Sequence, residues 1–99
     1  MKVSIDLQEG FFNDEVTIFE KDKKIYHAEK IKTRMQIGLA ASFEADLSGE
    51  KTTLRIVIPN RQIDETKEIE LAENLHVAIS LTEDDKLEWK MSEAPFMYA

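Results

Sequence analysis

Two histidines, His27 and His76, and three acidic clusters, Asp14–Glu15, Asp64–Glu65 and Glu83–Asp84–Asp85, carry the side chains best suited to chemistry. Imidazole and carboxylate are ligands for transition metals, and two strand histidines can share an ion when their strands are neighbours and their faces match. Neither histidine has a partner at H-x-H or H-x-x-E spacing, so both are expected to be unrelated surface residues, and no metal site is expected. Calcium needs six to eight oxygens converging on one point. No D-x-D-x-D-G spacing occurs, and the loop at 82–86 is too tight to wrap an ion alone. Turn formation and edge protection account for these charges.

Catalytic signatures are missing. Ser4, Ser42, Ser48, Ser80 and Ser92 lie in no G-x-S-x-G elbow, and Gly10, Gly38 and Gly49 form no phosphate loop. Without cysteine there is no thiol nucleophile, thiolate site or disulfide. Twenty acidic residues would bring some pair of carboxylates close in any fold, so a pair carries no specificity for acid–base catalysis. The expectation is a protein that is not an enzyme and uses no cofactor.

Apolar residues in loops and at the end of the chain are the remaining candidates. GFFND places Phe11 and Phe12 between strands, directly after Gly10. Adjacent residues of an extended chain point opposite ways, so one phenylalanine can plug the fold while the other stays outside. The chain closes on EAPFMYA, with Pro95, Phe96, Met97 and Tyr98. One reading has Pro95 turn the tail back as a lid over an end or edge of the fold. The other makes Phe11, Phe12, Pro95, Phe96, Met97 and Tyr98 a contiguous apolar patch for a protein partner or a second copy of the chain.

These residues must be held by strands, because the dominant signal is a period of two. Val3, Ile5 and Leu7 alternate with polar residues, as do Leu54, Ile56 and Ile58, then Leu75, Val77, Ile79 and Leu81, and finally Leu87, Trp89 and Met91. Such alternation puts one set in a core and the other in water. KDKK at 21–24, Ser48–Gly49 and EDDK at 83–86 predict three hairpins, and Pro59–Asn60 stops a long strand. KEIELA at 67–72 supplies another strand through Ile69 and Leu71. The mixed segment 33–47 reads as a crossover between sheets that enters a strand near residue 41. About eight short strands with regular turns predict an all-β, mostly antiparallel two-sheet sandwich, immunoglobulin-like or transthyretin-like, in one domain spanning 1–99.

A net charge of −7 repels nucleic acid and anionic membranes, so neither is an expected partner. The start, MKVSIDLQEG, lacks an apolar signal-peptide region, and no stretch is apolar for long enough to span a bilayer, which makes the cytoplasm the expected location. The functional expectation is a non-catalytic protein-interaction or structural module, self-associating in one version. The alternative is a small-ligand or carbohydrate-binding sandwich with calcium at its acidic loops.

Overall fold

The computed structural model describes residues 1–97. Eight strands form: β1 (Lys2–Leu7), β2 (Asp14–Glu20), β3 (Lys23–Ile31), β4 (Ala41–Asp46), β5 (Lys51–Ile58), β6 (Ile63–Glu70), β7 (His76–Leu81) and β8 (Leu87–Ser92). They make two four-stranded sheets, ordered β4-β1-β7-β8 and β3-β2-β5-β6. All neighbours are antiparallel except β1 and β7, which run parallel with Ser4 beside His76 and Leu7 beside Ile79. The expected all-β sandwich is therefore the observed fold.

The alternating stripes meet between the sheets. Val3, Ile5, Leu7, Val77 and Ile79 from the first sheet face Val16, Ile18, Leu54, Ile56 and Ile58 from the second, all fully buried. Most are β-branched, which suits a pleated surface packed on one side. The stripe weakens at β8, where Leu87 and Trp89 are only half-buried and Met91 is exposed. β8 is an edge strand, so its inward residues are covered on one flank only.

Two of the three hairpins predicted from turn signals form: β2–β3, with Lys21 at φ 55°, and β7–β8, with Asp85 at φ 59°. The Ser48–Gly49 turn does not make a hairpin. It is a corner at which the chain leaves the first sheet for the second. Each side of the corner is tied to its own sheet, Leu47 N–H donating to the Met1 carbonyl (2.8 Å) and Leu71 N–H to the Glu50 carbonyl (2.8 Å). The third hairpin is instead β5–β6, turned by a single 3-10 turn at Pro59–Arg61, with Gln62 left-handed at φ 58°. β6 is correspondingly longer than the segment KEIELA, and Leu71 lies just beyond it. The crossover after β3 does enter its strand at Ala41.

Contacts between edge strands clasp the sandwich on both flanks. Tyr26 of β3 stacks on Phe43 of β4, with ring centroids 4.3 Å apart and planes 10° from parallel. On the opposite flank, Trp89 Nε1 of β8 donates to Glu65 Oε1 of β6 (3.1 Å).

Candidate functional site

One end of the sandwich is built around Asp14, the first residue of β2. Its carboxylate is fully buried and accepts from Phe12 N–H (2.8 Å), Asn60 Nδ2 (2.6 Å), Arg61 Nε (2.7 Å) and Arg61 Nη2 (3.0 Å). Burial pushes this carboxyl up, but the bonds from Arg61, Phe12 N–H and Asn60, with the Arg61 charge, outweigh it and hold the pKa below its ordinary value. Arg61 also donates to Asp85 Oδ1 (2.8 Å) and to the Gly10 carbonyl (3.1 Å). Asp85 and Asp14 reinforce its charge, with the Asp14 hydrogen bond the largest contribution. One guanidinium thus ties together the β1–β2 loop, the β5–β6 turn and the β7–β8 turn.

This network aims the two phenylalanines. Gly10 passes so close to β7 that a Cβ there would lie 2.1 Å from the Leu81 carbonyl oxygen, at a φ of 90° that side chains rarely adopt. Phe11 then turns inward and is 3% exposed. Its N–H donates to Thr33 Oγ1 (3.0 Å), Thr33 N–H donates back to the Phe11 carbonyl (2.9 Å), and the Thr33 hydroxyl donates to the Gln8 carbonyl (2.7 Å). Phe12 points the other way and is 68% exposed. One phenylalanine plugs the core and its neighbour stands outside.

Across from Phe12, residues 34–39 close a small loop. Arg34 N–H donates to the Leu39 carbonyl (3.0 Å), and Gly38 N–H to the Arg34 carbonyl (2.8 Å), with Gly38 at φ 69°. This loop carries Met35 at 90% exposure. Between loop and phenylalanines lies a recess of about 400 Å³ lined by Glu9, Phe11, Phe12, Lys32, Met35 and neighbouring backbone. Lys32 Nζ sits 5.5 Å from the centroid of the Phe12 ring. Lys30, Lys32 and Arg34 are all exposed along the chain that leads into this loop, three cations close together on an acidic protein.

The tail is elsewhere. Phe96 is half-buried and meets His76 edge-on, with centroids 6.5 Å apart, while Pro95 and Met97 are exposed. Tyr98 lies outside the described residues. His76 starts β7, whereas Leu81, its last residue, donates its N–H to the Glu9 carbonyl beside Phe11 and Phe12. Five residue steps along the strand separate the two, about 16 Å. Of the six apolar residues expected to share one patch, the five described are therefore divided, with Phe11 and Phe12 at one end of the sandwich and Pro95, Phe96 and Met97 at the other. Topology is the reason: β7 runs parallel to β1 and β8 runs back, so the chain leaves β8 at the end where β1 began.

His27 and His76 stand on different sheets and do not meet. The acidic clusters are divided as well. Asp14 and Asp85 face Arg61, while Asp64 takes a two-pronged bond from Arg55 (2.7 and 2.6 Å). Lys32 and Met35 escaped the sequence reading, although Lys30, Lys32 and Arg34 recur at every second position, the spacing that puts charges on one side of an extended segment. No protein-family model matches the chain, and a search of curated proteins finds no match.

Proposed function

We propose that this protein is a non-catalytic, cytoplasmic interaction module that receives an acidic protein segment bearing a large apolar side chain at the Phe12–Met35 end. The carrying observation is that Phe12 and Met35, two of the most exposed large apolar side chains among the described residues, flank one recess. Aromatic and methionine side chains are enriched in the cores of protein interfaces, and exposed methionine adapts to varied partners. Lys32 at the recess, with Lys30 and Arg34 exposed on the same segment of chain, favours acidic flanks on the incoming segment. The net charge of −7 works against a second copy as the occupant.

Binding without catalysis fits the use made of the titratable groups. Those whose protonation is displaced, Asp14, Arg61, Arg55, Asp64 and Tyr26, serve ion pairs or edge packing. The strand order supports the transthyretin-like sandwich over the immunoglobulin-like one, since a constant-type immunoglobulin order joins the first, second, fifth and fourth strands in one sheet.

The test is fluorescence anisotropy with a short capped peptide of glutamates flanking one phenylalanine. Wild-type protein is expected to bind saturably, more weakly at high salt. Phe12→Ala is expected to lose roughly tenfold in affinity, about 1.4 kcal/mol. Binding that is unchanged in Phe12→Ala, or sedimentation showing a concentration-dependent dimer through this end, would replace the reading.

A further inference from the structure

We propose that Glu15, His27 and Glu29 form a surface site for a divalent transition-metal ion, with Zn²⁺ the best-matched candidate. Glu15 belongs to β2, and His27 and Glu29 to the adjacent β3. His27 lies opposite Thr17, two residues along from Glu15, so both strands present these side chains on the outer face of the second sheet. Glu29, two residues beyond His27, shares its face. Next to it, Lys30 sits in the left-handed region at φ 57° where the β2–β3 register shifts. That bulge brings Glu29 across from Glu15.

The donor atoms already converge. Each residue offers one ligand atom, and the three lie within 4.8 Å of one another. His27 Nε2 and Glu15 Oε2 are 3.0 Å apart. Two ligands bound to one zinc at about 2.0–2.1 Å stand roughly 2.9–3.4 Å from each other for bond angles between right and tetrahedral. Nε2 and Oε2 therefore already stand at the separation that two ligands of one zinc ion keep, with the ion to one side of the line between them. Closing the third ligand asks for a rotamer change in Glu29, whose side chain is exposed and free to make it.

The scaffold beneath is fixed. Glu15 N–H donates to Asn60 Oδ1 (3.0 Å), and the other end of that amide holds Asp14. A depression of about 280 Å³ beside Glu15 and Glu29, also lined by Asn13, Lys30 and Asn60, has room for water to complete the coordination shell. Donor chemistry selects the ion class. One imidazole with two carboxylates matches zinc and its first-row neighbours, whereas calcium wants an all-oxygen shell of six to eight ligands. Two carboxylates on an acidic protein supply the charge, and Lys30 opposes it from the rim.

The test is calorimetric titration of zinc chloride into chelator-stripped, dialysed full-length protein at neutral pH, with ¹⁵N spectra of both imidazoles. One saturable site is expected, with His27 resonances moving and those of His76 still. Glu29→Gln and His27→Ala are each expected to lower affinity by at least roughly tenfold, as ligand loss does, while His76→Ala binds like wild type. Thermal melts confirm that each variant folds. They also give a second reading, since zinc must raise the wild-type midpoint more than that of Glu29→Gln. No saturable binding, or binding that survives both ligand substitutions, overturns the proposal.

Discussion

Asp14 is fully buried and still charged, because four donors converge on its two oxygens. A carboxyl held below its ordinary value of 3.8 in the folded chain contributes stability that is complete above that value. The contribution is lost as pH falls from there through the lowered folded value. Asp14→Asn removes the charge and leaves Arg61 without its main partner. A loss of about 3 kcal/mol is expected at neutral pH, the usual cost of breaking a buried pair from one side. The gap between variant and wild type should narrow as acid protonates Asp14. Urea unfolding at neutral pH and at several values below 3.8 measures both effects. A gap that stays constant into acid would mean that Asp14 is not the titrating partner.

At the scale of elements, much of the architecture was legible because the period of two is a local signal. Leu54, Ile56 and Ile58 announce an inward stripe whichever sheet receives it. Choice of partner is not local. Ser48–Gly49 has the chemistry of a hairpin turn, yet Ala45 and Leu47 pack into the core from one sheet and Thr52 and Leu54 from the other, so the turn becomes a corner. The stack of Tyr26 on Phe43 joins edge strands that no sequence pattern pairs. Burial there pushes the Tyr26 phenol above its ordinary pKa. Tyr26→Ala should cost about 2 kcal/mol, combining lost apolar burial with the stacking term, while Tyr26→Phe keeps the ring and should stay within about 0.5 kcal/mol. Equal losses in the two variants by thermal unfolding would place the stabilisation in the hydroxyl instead of the stack.

At the scale of the whole molecule, a protein of net charge −7 gathers Lys30, Lys32 and Arg34 at the end that also exposes Phe12 and Met35. Half of the candidate surface was legible: Gly10-Phe11-Phe12 declares one ring in and one ring out, and the structure places them so. Its separation from the tail was not legible, because only the parallel pairing of β1 with β7 decides which end the last strand leaves from. The grouping of Glu15 with His27 and Glu29 was hidden for a similar reason, depending on β2–β3 register and a bulge at Lys30.

The most direct test of the binding surface is chemical-shift mapping of ¹⁵N-labelled protein against the glutamate-flanked phenylalanine peptide. The expected result is a set of perturbations confined to residues 9–13 and 30–38, which need roughly tenfold more peptide in Phe12→Ala and are weakened by Lys32→Glu. Perturbations centred on His76 and Phe96, or none at any peptide concentration, would contradict it.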